Sequence, residues 1–174
     1  NVVEAKELVY MSDKKNLIIQ VGHIERFNPA FYSLIDKKFN PRFIESHRLA
    51  PFDVRGTDVD VILDLMIHDI DIVLSLVQSD VKEIRASGMS VLSDNIDTAN
   101  ARVAFDDGCV ANMTASRISQ KKIRKFRFFE DSSYTTIDFL NPSIEKYILA
   151  NERPNKNQSY VVMSSIKDKY ILYE

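Results

Sequence analysis

Between Val59 and Val77 the chain reads VDVILDLMIHDIDIVLSLV, as apolar as a buried helix, yet it carries Asp60, Asp64, His68, Asp69 and Asp71. On an α-helix, at ~100° per residue, His68 lies roughly 40° to one side of Asp64, with Asp71 roughly 20° and Asp60 roughly 40° to the other. Three carboxylates and an imidazole therefore share one stripe, and Asp69 points away from it. An unpaired charge buried on such a helix is strongly destabilising, so the stripe calls for partners, water, a metal or a substrate. A carboxylate close to a histidine can hold the ring nitrogen that is not working, fix its tautomer and raise its basicity, which suits a general acid or base. The competing reading is an ion cluster at the mouth of a crevice. Metal ligation is the weaker chemistry, because neither a second nearby histidine nor a cysteine pair accompanies His68.

Two further groups carry chemistry. Gly22 to Pro29 (GHIERFNP) follows a short apolar run, and ligand crevices form at the carboxyl ends of parallel strands. His23, Glu25, Arg26 and Asn28 are placed for a ligand there, against the alternative of a charged linker with an Asn-Pro helix start. Arg117, at the end of a predicted strand, has the planar fork that binds phosphate. The basic run Lys121, Lys122, Arg124, Lys125 and Arg127 reads as a solvated sheet face, with Phe126, Phe128 and Phe129 as core and interface. His47 and Cys109 have no catalytic partner in sequence and read as structural.

The elements that position these residues change character along the chain. Val2 to Lys15 has amphipathic helical spacing, and Leu17 to Val21 (LIIQV) reads as a short buried parallel strand. Asn28-Pro29 opens a helix to about Lys38, and Arg42 to Leu49 is strand-like. The loop Ala50 to Asp58 contains Arg55 and leads into the Asp-rich helix, with Thr57, Asp58 and Asp60 as possible caps. Beyond Ser79, strands are predicted over 81–92, 98–105, 109–118, 123–130, 134–139, 143–150 and 159–166. Asp106-Asp107-Gly108 is a hairpin turn, and Asn151 to Asn157 is a polar loop. Helices followed by meandering strands indicate an α+β class: a largely antiparallel open sheet with flanking helices, preceded by an orphan helix and strand.

Composition narrows the function classes. The 174 residues carry a net charge of −2, so there is no bulk basic field for nucleic acid. One cysteine rules out an internal disulfide and suits a reducing, cytoplasmic setting. The Asp/His stripe argues against a membrane span at 59–77. No dinucleotide fingerprint, P-loop, nucleophile elbow or Cys-x-x-Cys occurs.

The ordered set VGHIERFNP, then DLMIHDID, then FDDGCVANMTASRIS resembles the glucose–fructose oxidoreductase / inositol dehydrogenase (Gfo/Idh/MocA) family over roughly Val2 to Phe139. The wording is most similar to members that oxidise the 3-hydroxyl of UDP-N-acetylglucosamine. The resemblance implies a Rossmann domain that binds NAD or NADP, and a second domain with an open antiparallel sheet for substrate binding and oligomerisation. It implies that His68 is the acid/base histidine and Asp64 its orienting partner. Asp71 matches a following aspartate, and Arg26 and Asn28 match the segment crossing between domains. The glycine fingerprint and the family's Glu-Lys-Pro motif are missing. Residues 1–22 are therefore expected to be the tail of the dinucleotide domain and 23–174 the substrate domain, the whole being a C-terminal piece without activity or nicotinamide binding of its own. Arg26, Asn28, Arg55, Asp71 and Arg117 are the expected substrate contacts, and a homodimer or homotetramer through the sheet is the expected assembly. The alternative function is a non-catalytic sheet domain for ligand binding or assembly.

Overall fold

The computed structural model describes residues 2–35, 37–149 and 163–166. Its centre is a mixed sheet of eight strands: β1 (Phe43–Leu49), β2 (Val81–Met89), β3 (Thr98–Phe105), β4 (Val110–Ser116), β5 (Ile123–Phe129), β6 (Ser133–Asp138), β7 (Ser143–Leu149) and β8 (Met163–Ile166). Their spatial order is β2-β3-β4-β1-β5-β6-β7-β8. Every pairing is antiparallel except β1 with β4. β1 precedes the Asp-rich helix in sequence yet lies between β4 and β5. A parallel neighbour needs a long crossover, and the chain from Ala50 to Cys109 supplies it.

Alternation along the strands puts one face into the core and leaves the other open. In β1, Ile44, Ser46 and Arg48 are buried; in β5, Phe126 and Phe128; in β4, Ala111, Met113 and Ala115. Phe31, Leu34, Val61, Met66, Ile72 and Val73 close over this inner face. Asp106-Asp107-Gly108 makes the expected hairpin: Gly108 holds φ +88°, which favours glycine, and Phe105 N–H donates to the Cys109 carbonyl at 2.9 Å.

Three expectations are corrected. The Asp-rich segment is not one continuous α-helix: a π-helical turn at Ile62–Met66 precedes α3 (Ile67–Leu76). Its N-cap is Val61, which has no side-chain acceptor, and the expected cap Asp60 accepts instead from Ile96 N–H at 2.9 Å. The helix opened by Asn28-Pro29 is only α2 (Pro29–Tyr32), followed by turns; Asn28 caps it by accepting from Ala30 N–H at 3.1 Å. Leu17 to Val21 forms no strand, and Ile18 is 96 % exposed. A buried parallel strand needs paired neighbours and cover on both faces, and among the described residues none pairs with it. α1 (Val2–Lys15) likewise buries only Ser12. The predicted loop 151–157 and most of the predicted strand 159–166 lie outside the described residues.

Candidate active site

His68 sits at the start of α3, half-buried. Its Nδ1 is shut off from solvent and finds no hydrogen-bond partner among the described residues. A buried polar atom left unbonded is uncommon and needs an explanation, such as a ligand that completes it. Burial first, and then the Arg48 charge, push the His68 pKa below the ordinary histidine value; Glu25 and Asp69 pull it back, and Arg124 adds to the lowering. The ring is therefore biased toward its neutral, proton-accepting form.

The π-turn changes what stands beside it. Four residues along an α-helix, Asp64 and His68 would face one another. The i→i−5 bonding of the turn, with Ile67 N–H on the Ile62 carbonyl, breaks that register. No hydrogen bond joins Asp64 to His68 among the described residues. Asp64 instead faces the loop that carries Arg55: its carboxylate stands 3.4 Å from the point where a Cβ on Gly56 would project. Arg55 is exposed, and among the described residues only its backbone N–H is bonded, to Asp53 at 3.0 Å.

Asp69 is the largest departure from the helical wheel. It does not face away but is 3 % exposed, pressed against the sheet. Arg48, itself 2 % exposed, donates from Nε and Nη2 to Asp69 Oδ1 at 3.1 and 2.7 Å, and from Nη1 to Glu25 Oε1 at 2.7 Å. Arg124 reaches the same Glu25 oxygen at 3.3 Å. The wheel describes one helix in isolation; the inward face of β1 supplies a cation it cannot see. Sequence reasoning passed over Arg48, although its place in step with Ile44 and Ser46 was the available signal.

The other predicted site residues divide into braces and free groups. Arg26 grips Asp71 with two 2.7 Å bonds, and His23 Nδ1 lies 3.7 Å from the same carboxylate. Arg26 stays almost half exposed, so only part of its fork is committed. Asn28, besides capping α2, donates to Glu25 at 3.2 Å and to the Phe139 carbonyl at 3.1 Å. Arg117 is buried with its fork filled: Asp97 Oδ1 at 2.8 Å, the Gly56 and Val59 carbonyls at 2.8 Å and Ser93 Oγ at 3.1 Å. Four of its five N–H donors are taken and the side chain is 3 % exposed, so it presents no open fork to a phosphate. This corrects the expectation for Arg117, whose signal in sequence was its charge and its place at the end of a predicted strand. Of two cavities of about 450 Å³, one beneath α2 and Phe39 is lined in part by Arg26, and one is an apolar groove between α3 and β2–β3; His68 lines neither. Among the described residues, no cluster of His, Cys, Asp and Glu could hold a metal, and no helix is long and apolar enough to cross a membrane.

Comparison with known proteins settles the family. Residues 43–131, about half of the chain, match the GFO/IDH/MocA C-terminal domain. The chain belongs to this family. It is 40 % identical over 145 residues to UDP-N-acetylglucosamine 3-dehydrogenase of Acidithiobacillus ferrooxidans, covering 83 % of this chain and 46 % of the relative. A solved structure of that enzyme superposes with a TM-score of 0.81 at 36 % identity, over 97 % of this chain and 52 % of the other. A Clostridium difficile dehydrogenase, at 23 % identity over 85 % of this chain and 48 % of its own, shares the fold with a TM-score of 0.72. The chain thus spans about half the length of the relatives it matches. The family's fold is the open, mostly antiparallel sheet with few helices seen here.

Proposed function

We propose that this chain is the substrate-binding half of an NAD(P)-dependent dehydrogenase that oxidises a hydroxyl of a sugar nucleotide, with the 3-hydroxyl of UDP-N-acetylglucosamine as the preferred position. The similarity to UDP-N-acetylglucosamine 3-dehydrogenase supports the substrate. The observation that carries the chemistry is His68, biased neutral and with a shielded, unbonded ring nitrogen. In this reading His68 accepts the hydroxyl proton while hydride leaves the same carbon. Arg55, with its fork uncommitted, and the exposed side of Arg26 take the diphosphate. Asp64 stands on the same loop side as Arg55 and meets the sugar rather than His68. Asp71 and Asn28 hold the wall of the site through their bonds to Arg26, Glu25 and Phe139.

The chain's own residues do not make a dinucleotide cradle. Its four glycines are Gly22, Gly56, Gly88 and Gly108, and none opens a helix after a strand. NAD or NADP, the hydride acceptor, would be bound by residues 1–22 together with a Rossmann domain of a longer parent protein. That division into 1–22 and 23–174 is part of the proposal.

Steady-state kinetics of the parent enzyme test the reading. His68→Asn should lower turnover of UDP-N-acetylglucosamine by about 10²- to 10⁴-fold, the usual contribution of a positioned base, with an unchanged thermal midpoint. Near-full activity in that variant would remove His68 from the chemistry.

A further inference from the structure

Arg117 is too enclosed to meet a substrate, yet it holds the loop that carries Arg55. Its Nη1 donates to the Gly56 and Val59 carbonyls, both at 2.8 Å. Its Nε donates to Asp97 Oδ1 at 2.8 Å and its Nη2 to Ser93 Oγ at 3.1 Å. Asp97 is fully buried and accepts the N–H groups of Val91, Leu92 and Ser93 at 2.7–2.9 Å, so the cation is anchored to a turn that is itself fixed. From that turn Asn95 Nδ2 donates to the Thr57 carbonyl at 2.8 Å. One residue on, Ile96 N–H donates to Asp60 Oδ1, and its carbonyl accepts from Val61 N–H, each at 2.9 Å.

Hydrogen bonds rather than packing therefore order the loop. Asp53 and Arg55 are exposed, and Val54 is 78 % exposed. Thr57 Oγ closes the turn on the Val54 carbonyl at 2.8 Å, and Gly56 holds φ +87°, which favours glycine. An exposed segment with little apolar cover ordinarily opens easily; here the carbonyls of Val54, Gly56, Thr57 and Val59 are all bonded. The backbone around Arg55 is committed, while its guanidinium takes no partner among the described residues. A ligand that must order a loose loop loses affinity to that ordering, and a loop fixed in advance spares it the loss. The same bonds reach Asp60 and Val61, where the π-turn toward His68 begins, so they also set how far Arg55 stands from the histidine.

We propose that Arg117, anchored by Asp97 and joined by Asn95, is a positioning residue for Arg55: together they hold the 53–59 loop ready, so that the free fork of Arg55 meets the diphosphate of a sugar nucleotide without first ordering the chain. This rests on the reading of Arg55 as a diphosphate ligand. None of the three touches the substrate, and each acts through the loop backbone.

Steady-state kinetics of the parent enzyme, with UDP as a competitive inhibitor, test the proposal. Asn95→Ala removes the bond to Thr57 and leaves the buried ion pair whole. It should raise KM for UDP-N-acetylglucosamine and the inhibition constant of UDP together, by about 3- to 10-fold, the contribution of one neutral hydrogen bond. Its kcat should stay at the wild-type value, the signature of lost ground-state binding. Arg117→Lys, which keeps a cation beside Asp97 but not the fork, should act in the same direction and further. On an Arg55→Ala background Asn95→Ala should add nothing, since no guanidinium is left to position. A merely structural bond predicts something else: a fall in kcat with KM and UDP inhibition unmoved, or a rise in KM that multiplies with that of Arg55→Ala. Either result overturns the proposal, as does no change in Asn95→Ala. Where Arg117→Lys does not fold, Asn95→Ala and the double variant decide it. A rise in KM for Arg55→Ala without one for Asn95→Ala removes the positioning role and leaves Arg55 as the diphosphate ligand. An unaltered KM in Arg55→Ala removes the ligand itself, and the proposal with it.

Discussion

At the scale of single residues, two arginines are buried among the described residues, with different work. Arg117 ties the Gly56 and Val59 carbonyls and Ser93 to Asp97. Asp97 also accepts the backbone N–H groups of Val91, Leu92 and Ser93 at 2.7–2.9 Å. These bonds, led by that from the Ser93 hydroxyl and opposed by burial, hold the Asp97 carboxyl far below the usual aspartate range. A depressed carboxylate pKa means that the stability it confers is complete above the unfolded value, about 3.9, and is lost as pH falls through the folded one. Asp97→Asn should therefore flatten the acid limb of a plot of denaturation midpoint against pH, below about pH 5; an acid limb as steep as wild type would place the acid sensitivity in other groups. In contrast, Arg48, Glu25 and Asp69 form a chain of buried ions. Removing one member of such a buried set costs about 3–5 kcal/mol. Asp69 is therefore part of the surroundings of His68, although on an isolated helix it points away from the stripe.

At the scale of elements, order tracks contact with the sheet. β1 is paired on both sides, by β4 and β5, over its whole length, and its inner face carries Ile44 and Arg48 at full burial. α1 and Leu17 to Val21 expose Val2, Val3, Leu8, Val9, Leu17, Ile18 and Val21. Helix and run together offer solvent an apolar surface that soluble folds ordinarily cover. An isolated helix of 14 residues is marginal in water. In native-state hydrogen exchange, amides of α1 should exchange at rates near those of an open chain, while those of β1 and β4 should be the slowest. Protection in α1 comparable to β1 would show that it packs on the body in solution.

At the scale of the whole molecule, the sheet has one covered face and one open face. Across the open face runs an aromatic row in register: Phe43 to Phe129 at 5.9 Å, Phe129 to Tyr134 at 5.1 Å and Tyr134 to Tyr147 at 5.0 Å. The next rows carry the ion pairs Glu45–Arg127 and Asp138–Lys125, the latter at 3.7 Å. A broad sheet surface with an aromatic centre and a charged border suits pairing with a second copy about a two-fold axis. We propose homodimerisation through this face, one of the two assemblies that the family resemblance implies. Sedimentation at tens of micromolar should show a dimer, and Tyr134→Glu should yield monomers with an unchanged far-UV spectrum, since stable homodimers bury upwards of about 1,000 Å². A wild-type chain that sediments as a monomer would leave the open face for something else.

The sequence by itself determined the elements with strong local signatures. Period-two alternation located β1 and β3 to β7 within a residue or two, Gly108 placed the hairpin turn, and Asn28-Pro29 placed a helix start. Those features depend on neighbours along the chain, so they are written in order. The ordered motifs likewise carried the family, which the match over 43–131 bears out. The tertiary structure decided what depends on neighbours across space. It put β1 between β4 and β5, withheld a strand from Leu17 to Val21 for want of a partner, and inserted the π-turn that parts Asp64 from His68. It also turned Asp69 and Arg117 inward and drew the exposed Arg26 onto Asp71, each onto a partner 20 to 45 residues away. A charge reads the same in sequence whether it is solvated or buried. Only packing tells which charges are held against one another and which, like His68, are left with an unbonded face.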